Sequence, residues 1–238
     1  GTSADYDVGV GADGIHAKVR ELVFGKNRES FTNWRAWYVW IGNEYDVPAT
    51  IVDYMEANEN VTVFASGGKT LATMFAPADH AAWDTQEGRV ARLKTLFKDQ
   101  RHLLPALERI RDEDVMPTDL ADVDMAHTVQ GSVALLGDAA HCFGPIAGVG
   151  TSMALEDAYT LAAELLKISP EYSLRRALNH YDICRQKRRR LTRRINLAAR
   201  SAAFSQSRTW TWVVEHMITI LPERLLTVCF RQFLKHEI

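Results

Sequence analysis

The sequence predicts an α/β fold of mixed α+β character, in which an antiparallel sheet interrupts a strand, glycine-loop and helix layer and helices close the chain. Three observations predict it. Two short apolar runs, YDVGVGAD from Tyr6 and SVALLGD from Ser132, each end in a Gly/Asp turn and read as buried strands. Between them, from Phe31 to about Met74, the chain turns aromatic and β-branched, with Asn, Gly, Pro and Asp as punctuation. From Met153 onward apolar residues recur at helical spacing.

Taken in order, the first strand delivers an acid, Asp13, at its carboxyl end. The runs WRAWYVWIG, ATIVDYM and NVTVFASGG then predict the antiparallel sheet. From Thr85 to about Arg111, Val90, Leu93, Leu96, Phe97, Leu104 and Leu107 predict two helices with a break at Pro105. SVALLGD follows as a strand, then a glycine-rich loop, then a helix with the stripe Ala154, Leu155, Ala158, Leu161, Ala162 and Leu165. A long helix carries Leu174, Leu178, Tyr181, Leu191, Ile195 and Ala198, and a last one carries Trp212, Val213, His216, Met217, Ile220 and Leu221 and ends at Pro222. This divides the chain into 1–30 with 120–170, an inserted sheet region 31–119, and a C-terminal helical region 171–238.

With 238 residues and 47% hydrophobic content, the chain has enough apolar material for a substantial core. A net charge of -2 gives no global attraction to nucleic acid or anionic membrane. Cys142, Cys184 and Cys229 are odd in number and far apart, which argues against a disulfide framework or a zinc site and fits a reducing cytoplasm. No apolar stretch approaches the roughly 18 residues of a membrane span, so stable membrane insertion is not expected. Residue 1 is glycine and the first methionine is Met55, so a natural reading frame that starts further upstream is expected.

The informative segment is GSVALLGDAAHCFGPIAGVGTSMALEDA, from Gly131 to Ala158. Its strand places Asp138 at a carboxyl edge, where open α/β sheets bind ligands and an acid accepts hydrogen bonds from polyol or ribose hydroxyls. Gly144, Gly148 and Gly150 let backbone approach a flat ligand closely. The helix after Gly150 aims free N–H groups and a partial positive charge at that ligand, which suits a ring that becomes anionic on reduction, such as a flavin. The same spacing also serves as an ordinary βα turn with glycines for packing.

These residues resemble the single-component FAD-dependent aromatic hydroxylases typified by para-hydroxybenzoate hydroxylase. GDAAHCFGPIAGVG is similar to the family's Gly-Asp motif, and GADGIHAKVR, from Gly11 to Arg20, is similar to its Asp-Gly motif. The resemblance extends over the whole chain and implies an incomplete Rossmann-type FAD-binding domain with an antiparallel substrate-binding sheet and C-terminal helices. It implies that Gly137 and Asp138 hold the ribityl chain, and that backbone from Gly148 through Val149, Gly150 and Thr151 to Ser152 lies against the isoalloxazine ring. The Pro145 carbonyl would sit near the substrate. Asp13, Gly14 and Arg20, in the Asp-Gly motif, would serve FAD and NAD(P)H. The amino-terminal GxGxxG fingerprint is expected to be lacking. GVGADG matches that pattern literally through Gly9, Gly11 and Gly14, but no ribose-binding acid follows a second strand, and the Asp-Gly motif accounts for the same residues. The sequence departs from the family at Ala17, Gly144 and Ser152, where Ser, Pro and Asn are common; Ser152 puts one side-chain hydrogen bond near the flavin in doubt.

The implied activity is an NAD(P)H-using monooxygenase that hydroxylates an aromatic or similar small molecule through a flavin hydroperoxide. No side chain is assigned as a catalytic acid or base and no metal site is expected. His141 reads as a packed, hydrogen-bonded residue, and Cys142 as a small core or loop residue. One face at most of Trp34, Trp37, Tyr38 and Trp40 would reach a ligand. RQKRRRLTRR, from Arg185 to Arg194, holds seven cations in ten and reads as a solvated helix face rather than a nucleic-acid or lipid site. Other readings stay open: a non-catalytic fragment completed by self-association or by an amino-terminal partner segment, a basic-helix binding module, or a reductase, epoxidase or halogenase of the same superfamily.

Overall fold

The computed structural model describes residues 4–26, 29–42, 51–66, 68–146 and 148–220. The elements begin with β1 (Gly9–Gly11), α1 (Lys18–Phe24), β2 (Glu29–Ile41), β3 (Ile51–Glu56), β4 (Glu59–Ser66) and β5 (Lys69–Pro77). Next come α2 (Arg89–Leu96), α3 (Leu104–Leu107), β6 (Val115–Asp124), β7 (Val129–Gln130), β8 (Val133–Leu135) and β9 (His141–Phe143). Three helices close the described chain: α4 (Gly150–Leu165), α5 (Leu174–Ala203) and α6 (Arg208–Ile220). The fold is the expected mixed α/β one. Leu221, Pro222 and Cys229 lie outside the described residues.

The chain separates into two compact units, one from 1–30 and 121–200 and a second from 31–120 and 201–220. The first holds a sheet of order β1-β8-β7, in which β1 runs parallel to β8 and β7 antiparallel to it. Val10 pairs with Ala134 and Gly11 with Leu135, although the two strands are far apart in sequence. β8 is the central strand, and Ala134 and Leu135 are fully buried, which is why it reads as an unbroken apolar run. Gly11 is required by close packing: a Cβ there would lie 2.7 Å from Leu135 Cδ2 and 2.9 Å from Val19 Cβ of α1. In the same unit, the last residues of β6, Asp122 to Asp124, pair antiparallel with β9. Leu161 of α4 and Leu178 and Tyr181 of α5 pack against Ala134, and Tyr181 donates its hydroxyl to Leu135 O at 2.8 Å.

Two helix faces differ from the sequence expectation. On α4 the buried positions are Met153, Asp157, Leu161 and Glu164, whereas Leu155, assigned to the apolar stripe, is 67% exposed. On α5 the buried stripe is Tyr181, Asp182, Arg185, Arg189, Thr192 and Asn196. The basic run is therefore not a purely solvated face. Arg185 and Arg189 turn inward because carboxylates wait for them there, Asp157 for the first and Asp182 for the second.

The second unit contains strands in the order β3-β4-β5-β2-β6, with the pairs β3/β4, β4/β5 and β2/β5 antiparallel. Trp37, Val39 and Ile41 of β2 and Met74 of β5 form a core with Val90, Leu93, Phe97, Leu103, Ala106 and Leu107, so one sheet face is covered by α2 and α3. The two helices are separated by residues 97–103, and Pro105 lies in the first turn of α3 rather than at the break. A missing N–H costs little there, since first-turn amides have no intrahelical partner. Among the described residues, no helix is long and apolar enough to cross a membrane.

Candidate functional site

Parallel pairing of β1 with β8 brings two acids to one sheet edge, because each strand ends in a turn carrying a carboxylate, Asp13 after β1 and Asp138 after β8. Such carboxyl edges are where open α/β sheets take ligands. Asp13 Oδ2 accepts the Val19 N–H at 2.9 Å, so one oxygen holds the first turn of α1 in place. Gly14 follows at φ 79°, a left-handed conformation that glycine takes without strain. Arg20 leaves α1 inward and is 3% exposed. Its guanidinium donates to Ala139 O at 3.0 Å, to Glu29 Oε1 at 2.9 Å and to Ile15 O. Those bonds tie the Asp13–Gly14 turn to the Asp138 turn.

The Asp138 turn is a short 3-10 segment, Gly137–Ala139. Gly137 has φ 54°, and a Cβ there would lie 3.0 Å from the Ala154 Cβ of α4, so glycine serves both the turn and the close approach of the helix. Asp138 is exposed and has no hydrogen-bond partner among the described residues. Downstream, Gly144 and Gly148 adopt φ 68° and 64°, and Gly148 N donates to Pro145 O at 3.0 Å. Among the described residues, a Cβ added at Gly144, Gly148 or Gly150 would meet nothing within 4 Å. The loop thus presents bare backbone to open space.

The first turn of α4 faces the same way in its chemistry. Val149 is the N-cap, and no side chain caps the helix. The hydroxyl of Ser152 donates back to Val149 O at 2.9 Å, so the side-chain donor that an Asn would offer outward has no replacement. Backbone amides of Gly150, Thr151 and Ser152 have no acceptor among the described residues and carry the positive end of the helix dipole. Gly144 is a second departure with a structural consequence. Proline, fixed near φ of about -65°, cannot follow the path that the loop takes here.

His141, the next residue but two after Asp138, is 2% exposed and hydrogen-bonded through Nε2 to Asp157 Oδ2 at 2.6 Å. It is a packed residue. Burial of the Cys142 thiol pushes its pKa up to about 11, which leaves the thiol inert. Sequence reasoning missed Asp157 and Arg185 beneath this turn. A signal existed: Asp182, Arg185, Arg189, Thr192 and Asn196 recur at helical spacing as a polar stripe, and Asp182 accepts from Thr128 and Arg189 just as Asp157 accepts from Arg185.

In the second unit the tryptophans of β2 divide between the two faces of the strand. Trp37 is core, edge-on to Phe97 at 6.2 Å with its Nε1 donating to Asp84, and Trp34 stacks on Phe204 at 4.4 Å. Trp40 is exposed and, with Ile41, Ala106, Ile110 and Asp114, borders a cavity of about 420 Å³.

Residues 2–195 match the FAD binding domain family. A flavin-dependent monooxygenase from an unknown prokaryotic organism is 29% identical over 191 residues, covering 72% of this chain and 46% of the relative. The chloroplastic zeaxanthin epoxidase of Nicotiana plumbaginifolia is 32% identical over 167 residues, covering 68% of this chain and 25% of the relative. Klebsiella pneumoniae HpxO, solved with FAD and uric acid, has the same fold, with a TM-score of 0.82 at 20% identity over 98% of this chain and 61% of that one. The chain therefore spans about half the length of the monooxygenase it matches, and less of the epoxidase.

Proposed function

The chain belongs to the FAD binding domain family, that of the FAD-dependent aromatic hydroxylases, and on that footing we propose that it holds the ribityl chain and ring of FAD in an NAD(P)H-using monooxygenase acting on an aromatic or similar small molecule. One observation carries this reading. Among the described residues, an exposed Asp138 without a hydrogen-bond partner stands at the strand edge beside glycines that meet nothing and a helix start whose amides lack acceptors. The hydroxyls of a polyol donate to such a carboxylate, and a flat ring that gains negative charge fits such a loop and helix end.

FAD, when bound, would supply the redox chemistry that couples NAD(P)H oxidation to oxygen transfer. The residues of this chain bind and orient. Gly137 and Asp138 anchor the ribityl hydroxyls. Gly148, Val149, Gly150, Thr151 and Ser152 offer backbone to the ring, with the α4 dipole favouring its anionic reduced form. The backbone carbonyl of Pro145, exposed in the same loop, would sit near the substrate. Asp13 and Gly14 serve FAD and NAD(P)H from the neighbouring strand end, and buried Arg20 acts through the two turns it joins. His141, occupied by Asp157, moves no proton at this loop.

The free cysteines Cys142 and Cys184 suit a cytoplasmic setting. Epoxidation is the second reading, favoured by the zeaxanthin epoxidases among the relatives; product identification after NAD(P)H-driven oxygen consumption with aromatic and alkene substrates separates the two. The cofactor assignment itself is tested by Asp138→Ala. Loss of a charged hydrogen bond should weaken FAD binding by about 1.5 to 3 kcal/mol, or roughly 10- to 100-fold, in a fluorescence titration. An unchanged affinity sinks the assignment.

A further inference from the structure

Below the Asp138 turn lies a buried ionic cluster with a single carboxylate at its centre. Asp157 of α4 has no exposed surface. Its Oδ2 accepts the Gly137 N–H at 2.8 Å and His141 Nε2 at 2.6 Å, and its Oδ1 accepts Arg185 Nε at 2.6 Å. Arg185, reaching up from α5, also donates to Glu156 Oε2 at 2.8 Å and to Met153 O at 3.2 Å. Arg188 adds a second guanidinium on Glu156. Burial alone would raise the Asp157 pKa, but the His141 bond and charge and the Arg185 charge outweigh it and hold the carboxyl below the usual range. An ionised Asp157 is thus an acceptor toward three separate pieces of the unit.

What this cluster achieves is directional. Buried ion pairs are poor sources of net stability, since desolvation offsets most of their attraction. Geometry is a different matter. Gly137 immediately precedes Asp138, and the bond from its N–H fixes the Leu136–Gly137 peptide, one residue ahead of the Cα that carries the Asp138 side chain. Arg185 grips the carbonyl of Met153 and the carboxylates of Glu156 and Asp157, all within the first two turns of α4, whose amides face the ring site. Contact between Gly137 and Ala154 leaves no slack between turn and helix.

We propose that Asp157, locked by Arg185, is a positioning residue for the flavin, holding the Asp138 turn and the α4 start as one rigid cradle. The proposal rests on the reading of this loop as an FAD site. Neither residue touches the cofactor; both act through Gly137, Asp138 and the first turn of α4. The cradle then presents the ribityl anchor and the helix dipole in one fixed relation, which is what a bound ring needs for a defined reduction potential.

The test compares wild-type protein, Asp157→Asn, and the double variant Asp157→Leu/Arg185→Met. Asparagine keeps an oxygen for the Gly137 N–H, whereas the double variant replaces the pair by apolar groups and leaves that N–H without an acceptor. Three quantities are read: FAD affinity of the apoprotein, midpoint potential of the bound flavin, and the urea midpoint without FAD. The double variant should lose about 10-fold or more in FAD affinity, with a flavin potential shifted negative and a urea midpoint near wild type. Asp157→Asn should fall between, and it decides the matter if the double variant does not fold. Unchanged affinity and potential in the folded variants overturn the proposal, as does an affinity loss that merely tracks the urea midpoint. If wild-type protein itself binds no FAD, the reading of the loop fails instead.

Discussion

Replacing Glu59 by glutamine should stabilise the second unit at about pH 8 and leave it nearly unchanged at about pH 4. Glu59 opens β4 and is 9% exposed, and its Oε2 is buried without a hydrogen-bond partner among the described residues. Burial, then the charges of Asp99 and Glu56, push its pKa from 4.5 to about 7, with Lys98 opposing. The sign follows directly. A carboxyl raised in the folded state favours the neutral form, so its contribution is complete below pH 4.5 and is lost as pH rises through about 7. Over that span the full difference corresponds to about 3 kcal/mol, which solvent at the hairpin reduces to about 2 kcal/mol. Glutamine mimics the protonated acid at every pH. Glu59→Gln should therefore gain about 2 kcal/mol at pH 8, or roughly 5 °C in Tm. Tryptophan fluorescence is the suitable assay, because Trp34, Trp37, Trp40, Trp83, Trp210 and Trp212 all belong to the second unit. A gap between variant and wild type that does not change with pH, or a variant less stable at pH 8, refutes the reasoning.

Two glycines in the first unit should respond oppositely to valine. Gly150→Val adds a side chain where nothing lies within 4 Å, so urea stability and helical circular dichroism should hold while FAD affinity falls; equal losses of stability and affinity would count against a ligand in that space. Gly11→Val drives a side chain into Leu135 and Val19 and should cost about 1 to 3 kcal/mol in urea unfolding with or without cofactor. Arg20→Lys keeps the charge but cannot span Ala139 O, Ile15 O and Glu29 together, and should lose about 2 kcal/mol. A urea midpoint matching wild type would show that the guanidinium fork is not needed.

Much of the fold was legible because burial in this chain often follows plain apolar pattern. β8 reads as an unbroken run since both of its faces are covered, and Trp37, Val39 and Ile41 alternate since only one face of β2 packs on α2 and α3. The Asp138 loop was legible from residue types alone: an acid after an apolar strand, glycines, then a helix. Periodicity failed where charged residues went inside. Leu155 was assigned to the core face of α4 on hydrophobicity, yet Asp157 and Glu164 occupy that face, and the rotation becomes clear only once Arg185 and Tyr172 are known to meet them. No window along one helix contains both partners of such a pair. Pro105 misled for a local reason, since proline is as suitable for a first turn as for a break.

The places where pattern and structure disagree are not scattered. Asp157, Arg185 and His141, charged or polar groups with almost no exposed surface, form one cluster that connects to the Gly137 N–H, one residue ahead of Asp138, and to the first turns of α4. An apolar core could pack these elements, but dispersion has no direction and would let the turn and the helix start settle independently. A carboxylate that accepts one backbone N–H and one guanidinium at 2.6 to 2.8 Å does have direction. Local rules give way where a ligand must be met by backbone groups in one arrangement. The buried charges of the first unit are thus best understood together with the exposed Asp138, which has no hydrogen-bond partner among the described residues: on the proposed reading, the turn can leave its own carboxylate free for a ligand because a second carboxylate, one layer deeper, holds it from behind.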